Sequence, residues 1–154
     1  MKRKTGYEII PIGHVNRTDY GIELCIREAY IGGLADLRGF SHLMVLWWAH
    51  ELDSKAHRRA LSSRPPYLDG RTLGVFATRS PRRPNPITLT TCRVLELIEP
   101  EGIILINDID ANDGTPLIDI KPYYPVLDQV LDPQLPDWVP DDFRSPYPEE
   151  GVGL

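Results

Sequence analysis

Three arginines and three prolines fall within eight positions, Arg79-Ser80-Pro81-Arg82-Arg83-Pro84-Asn85-Pro86. Proline fixes its own backbone torsion and biases the preceding residue to an extended form, so the guanidinium groups are presented at low entropic cost. A planar, permanently charged fork held that way suits a carboxylate or a phosphate. The plainer reading is a rigid connection whose arginines only solvate it. A second stretch, Asp110-Ala111-Asn112-Asp113-Gly114-Thr115-Pro116, is acidic. Its Asp113-Gly114 pair is a strong hairpin signal and by itself predicts an ordinary turn. Beside a basic loop it gains a second use. Asp110 or Asp113 can accept from hydroxyl or amino groups while Arg79 pairs with a carboxylate, so the two stretches could hold opposite ends of a zwitterion.

Other chemistries are excluded by missing residues. No glycine-rich dinucleotide or phosphate-loop sequence is present. His50-Glu51 opens like a zinc-protease motif, but Ser54 stands where the second histidine is needed. Asp108, Asp110, Asn112 and Asp119 have the spacing of a calcium loop. The sharp turn of that loop requires glycine where this chain has Asp113. Cys25 and Cys92 lie in strand patterns, where a buried thiol is the default, and two cysteines build neither a disulfide scaffold nor a zinc site. The expectation is a metal-independent protein.

Short strands must position these groups. Period-two patterning predicts strands over 7–15 and 22–26 joined by a turn at Asp19-Tyr20-Gly21, with further strands at 72–78, 87–97, 103–109 and 117–121. Residues 43–50, LMVLWWAH, are nearly continuous apolar and predict a strand buried on both faces. Helix is scarce, with one or two turns at 34–38 stopped by Gly39 and a short basic helix at 53–61 capped by Asp53 or Ser54. The fold class is therefore mainly β, an antiparallel barrel or strongly curled sheet with one or two short helices.

The 154 residues are 42% hydrophobic and 25% charged, which fits one domain with a real core. We divide the chain into a barrel domain at 1–132 and a proline-rich acidic arm at 133–154. No apolar run reaches the length of a membrane helix, and the basic start at residues 1–4 leads into no apolar signal core, so a soluble, cytoplasmic protein is expected. The formal net charge is −5, yet residues 55–83 carry eight Lys or Arg against the single acid Asp69. Residues 94–120 carry seven acids and no Lys or Arg. A basic middle between acidic flanks can hold an anion locally while the whole stays acidic.

Gly39-Phe40-Ser41-His42-Leu43, the run from Gly74 through Thr78-Arg79-Ser80-Pro81 to Pro86-Ile87, and Asp113-Gly114-Thr115-Pro116 leading to Asp119-Ile120-Lys121-Pro122-Tyr123 occur together and in order. In these pieces the chain resembles the TrmO (TsaA-like, YaeB-like) family over roughly residues 7–125. The resemblance implies a non-Rossmann barrel that uses S-adenosyl-L-methionine to methylate N6 of threonylcarbamoyl-adenosine beside the tRNA anticodon. It implies cofactor contacts from His50, Glu51, Arg79, Leu89, Ala111, Asn112, Asp113 and Gly114. Lys55, Arg58, Arg59, Arg82 and Arg83 would hold the phosphates of the anticodon stem-loop, and a homodimer is implied. Trp47, Trp48 and Trp138 are candidate interface residues, with core packing their default role.

Three features depart from the family pattern. The loop at 16–21 is short, Glu51 stands for Gln, and Thr88 stands for Gly. The chain is expected to be a short form without the C-terminal domain of longer members. No residue stands out as a general base. Two other functions fit the same residues: methyl transfer to a small molecule or another nucleoside, and a non-enzymatic barrel that binds nucleotide or RNA.

Overall fold

The computed structural model describes residues 6–151, so the basic residues 1–4 and the last three positions of the 133–154 arm lie outside it. Alternation builds the first hairpin: β1 (Gly13–Thr18) and β2 (Gly21–Ile26) pair antiparallel from Gly13↔Ile26 to Thr18↔Gly21. Val15 and Leu24 are fully buried on the inner face. A 3-10 segment, Glu28–Leu34, leads to β3 (His42–Trp48). After it come the short helix α1 (Lys55–Arg58) and a small ribbon of β4 (Ser62–Ser63) and β5 (Leu73–Gly74). The chain then returns through β6 (Ile87–Ile98), β7 (Ile103–Ile106) and β8 (Pro116–Pro122). A last short helix, α2 (Pro125–Asp128), begins the C-terminal segment.

Six strands close into a barrel in the order β1-β2-β7-β6-β3-β8, antiparallel throughout, as the sequence predicts. Closure depends on β6. Its first half pairs with β3 and its second with β7, and the register breaks between Val94 and Glu96. A bulge of this kind bends a strand and lets a sheet curl onto itself. Leu43, Val45, Cys92, Ile104 and Leu117 join Val15 and Leu24 in the interior at 0% exposure. Burying a side chain of this size contributes about 1.5–3 kcal/mol. Burial holds the Cys92 thiol up at about 12, so it is an inert core residue.

Several expected elements differ. β3 is not buried on both faces: Leu43, Val45 and Trp47 point inward, while Met44, Leu46 and Trp48 are half-covered outside. The expected strand at 72–78 stops after Gly74 and tightens into a 3-10 turn, Val75–Ala77, because Thr78 returns both its amide and its hydroxyl to the Val75 carbonyl. The helical turns expected at 34–38 fall earlier, at Glu28–Leu34, and Asp36 takes a left-handed φ of 63°. The first and sixth expected strands are shorter, with β1 beginning at Gly13 and β7 ending at Ile106. The basic helix is present, capped by Ser54, whose hydroxyl accepts from the His57 amide at 3.1 Å.

The proline-rich arm lies along the barrel through its aromatic residues. Arg71 sits over the Trp138 ring at 5.5 Å, Phe143 stacks on Tyr67 at 4.7 Å, and Asn107 donates to the Tyr147 hydroxyl at 3.0 Å. No helix among the described residues is long and apolar enough to cross a membrane.

Candidate functional site

Antiparallel pairing brings three predicted segments to one end of the barrel. Trp48 at the close of β3 sits opposite Ile87 at the start of β6, and Trp47 sits opposite Leu117 near the start of β8. The His50-Glu51 corner, the proline loop before β6 and the crossover at 107–115 before β8 therefore share one rim. The crossover joins strands that are not neighbours, so Asp113-Gly114 makes a turn but no hairpin between paired strands. It drops Ile109 and Ala111 into the barrel mouth, both buried.

Between these segments lies a cleft of about 160 Å³. Trp47, Ala49 and Leu52 give it an apolar side, and Pro81 of the arginine loop forms another wall. His50, Glu51, Asp110 and Asn112 bring polar groups to it. The Asn112 side-chain amide donates to the Glu51 carboxylate, joining residues 61 positions apart. The Trp47 indole is already satisfied by Thr90 at 3.1 Å, leaving its ring as apolar lining. Burial, with repulsion from Asp108, pushes the Asp110 carboxyl above the usual range, and Arg17 only partly offsets this.

The turn itself is held from β1. The Arg17 guanidinium donates through Nε to the Ala111 carbonyl at 2.8 Å and through Nη2 to the Ile109 carbonyl at 2.6 Å. Its amide donates to Asp113 Oδ1 at 2.8 Å. Gly114, at φ 76°, donates its amide to the Val15 carbonyl at 2.8 Å, a backbone conformation that glycine adopts without strain. Sequence reasoning missed Arg17, because an arginine in an alternating strand carries no motif. The only hint was its place beside an unusually short hairpin.

Of the expected cofactor residues, His50, Glu51 and Asn112 line the cleft directly. Ala111 lies buried beneath it. Asp113 and Gly114 shape its turn but direct their own hydrogen bonds to β1. Arg79 and Leu89 do not line it. Arg79 is exposed on the loop behind Pro81, while Leu89 is half-buried opposite Leu46, on the outer face of the barrel. Trp47, Leu52, Pro81 and Thr115 line the cleft and were not foreseen. Among the described residues, no His, Cys, Asp and Glu side chains gather in a set of three that could hold a metal ion.

The basic residues separate into two kinds. Arg58 pairs with Asp53, lies over the Trp48 ring at 5.2 Å, and so docks α1 on the outer face of β3. Asp53 also accepts from the Trp48 indole at 2.9 Å. The hydrogen bond from Arg58 holds its carboxyl below the ordinary value. Arg83 bonds the Thr78 and Ser80 carbonyls at 3.1 and 3.2 Å, folding the arginine loop onto the preceding turn. Lys55, Arg59 and Arg82 are exposed.

The family model described as the tRNA-methyltransferase O N-terminal domain matches residues 6–129. A probable S-adenosyl-L-methionine-binding protein of Archaeoglobus fulgidus is 47% identical over 110 residues, covering 71% of this chain and 28% of that protein. The tRNA (adenine(37)-N6)-methyltransferase of Escherichia coli is 40% identical over 99 residues, covering 62% of this chain and 41% of the enzyme. A crystal structure of TrmO from Pseudomonas aeruginosa superposes with a TM-score of 0.65 at 26% identity, covering 84% of this chain and 61% of that one. The chain thus spans less than two thirds of each of these three proteins.

Proposed function

Because this chain belongs to the tRNA-methyltransferase O N-terminal domain family, we propose that it is an S-adenosyl-L-methionine-dependent methyltransferase of tRNA, acting on N6 of threonylcarbamoyl-adenosine beside the anticodon. The observation that carries this reading is the Asn112–Glu51 hydrogen bond, which ties the crossover turn to the end of β3 at the cleft. The donor set suits the cofactor. Glu51 and Asp110 offer carboxylates to its sulfonium, amino and ribose hydroxyl groups, while Trp47 and Leu52 offer apolar surface.

Arg79, exposed and free of any ion pair among the described residues, would take the cofactor's carboxylate. His50 with the Ala111–Gly114 backbone would complete the contacts. The bound cofactor supplies an activated methyl group. The chain's part is to align the acceptor nitrogen and exclude water, which can account for most of the rate of such a transfer.

The cleft measures about 160 Å³ in the single chain, and a homodimer is proposed in which the second copy completes it. Lys55, Arg59 and Arg82 would meet the phosphates of the anticodon stem-loop directly. Arg58 and Arg83 would add charge while holding their own segments. Acting on tRNA, the protein would work in the cytoplasm.

Calorimetric titration of S-adenosyl-L-methionine, followed by transfer of labelled methyl to tRNA, tests the reading. Wild type is expected to bind the cofactor at micromolar concentration, and Arg79→Ala to lose most of that affinity. No binding by wild type at millimolar cofactor would overturn the cofactor site. Methyl transfer that persists after the tRNA is digested would move the acceptor to a smaller molecule. For the RNA contacts, Arg82→Ala should flatten the salt dependence of tRNA affinity by roughly 0.7–0.9 in log–log slope, the loss of one phosphate contact. An unchanged slope removes Arg82 from the interface.

A further inference from the structure

The excursion at 55–83 holds an exposed aromatic ring that the fold does not use. Phe76 is 78% exposed in the 3-10 turn Val75–Ala77. That turn is locked. Val75 is buried, its amide bonds the Leu61 carbonyl at 3.0 Å, Thr78 closes onto its carbonyl, and Arg83 pins the carbonyls of Thr78 and Ser80. Leu61 lies across the end of the same ribbon and is 70% exposed.

The charges nearest to this apolar spot along the excursion are positive. Arg59 precedes Leu61, Arg64 follows β4 and bonds Thr72 at 3.0 Å, and Arg79 and Arg82 lie on the loop after the turn. Asp69 is the sole acid between 55 and 83. The same locked loop then delivers Pro81 to the wall of the cleft.

A rigid aromatic ring among exposed guanidinium groups fits a single-stranded nucleic acid, whose bases offer flat faces and whose backbone offers charge. Duplex RNA offers the charge without the free faces. We infer that Phe76 is a stacking platform for an unpaired base of the RNA substrate, next to the nucleotide presented to the cleft. This rests on the tRNA reading above and specifies which part of the RNA is held. The phosphates contribute salt-dependent affinity, and Phe76 contributes preference for loop over duplex.

The test compares an RNA hairpin carrying a single-stranded loop with the same stem as a blunt duplex, by fluorescence anisotropy over a salt series. Phe76→Ala should weaken hairpin binding about tenfold. It should leave duplex binding and the salt slope unchanged. Phe76→Trp should keep hairpin affinity within about twofold, with its added indole emission quenched by the loop RNA but not by the duplex. Unchanged hairpin affinity in Phe76→Ala, or equal losses for hairpin and duplex, would overturn the stacking role while leaving the tRNA reading intact. A wild-type dimer that becomes monomeric in Phe76→Ala on sedimentation would reassign the patch to self-association. Failure of wild type to bind either RNA would overturn the tRNA reading and this inference with it.

Discussion

Gly13→Ala is expected to lower the melting temperature by roughly 6–12 °C, corresponding to about 2–4 kcal/mol in a domain of this size. Gly13 sits in β1 with Ile26 of β2 on one side and Leu117 of β8 on the other. A Cβ atom there would stand 2.2 Å from the Cys25 carbonyl oxygen and 3.1 Å from the Ile26 Cα. Both obstacles are backbone, so no rotamer change relieves them and the strands must move apart. Gly74→Ala is the control, since nothing lies within 4 Å of the corresponding Cβ and the φ of −60° suits alanine. Thermal unfolding followed by far-ultraviolet circular dichroism should show the first variant falling and the second unchanged or slightly raised. Equal melting temperatures for Gly13→Ala and wild type would mean that β1 is less tightly enclosed than the register requires.

The second large effect concerns Arg17, at the other end of the same strand. Arg17→Ala should cut S-adenosyl-L-methionine affinity at least about tenfold, a difference of ~1.4 kcal/mol. The side chain bridges two carbonyls of the crossover, Ile109 and Ala111. Removing it leaves both without that donor, and hydrogen bonds to charged groups contribute about 1.5–3 kcal/mol when well sheltered. The turn that presents Asn112 to Glu51 then loses its anchor to β1. Arg17→Lys should recover only part of the affinity, because a single ammonium does not reproduce the planar fork. Amide hydrogen exchange supplies a readout independent of the cofactor, with the amides of residues 111–114 expected to exchange faster in Arg17→Ala. Native exchange and native affinity together would show that the crossover is held by its own packing.

The segments that meet at the candidate site were legible in the sequence. The arginine–proline loop, the acidic turn and the His50-Glu51 corner were each visible as residue types in a pattern. Which groups converge was not. Asp110 and Asp113 were equivalent candidates on spacing, yet the structure sends Asp110 to the cleft and commits Asp113 to the Arg17 amide. Arg82 and Arg83 are adjacent and chemically identical, but one is exposed and the other bonds the carbonyls of its own loop. Arg58 lay inside a run of positive charge, and only the fold places it on Asp53 and Trp48.

Local patterning determined what local physics controls. Alternating side chains specify strands, little helical periodicity leaves an antiparallel sheet, and Ser54 caps the one basic helix. Long-range pairing decided the rest. The barrel closes because β6 bends at Val94–Glu96, and that closure puts the ends of β3, β6 and β8 on one rim. The turn at 113–114 became part of a crossover because β7 and β8 found other partners, a competition between strands distant in sequence that no short window contains.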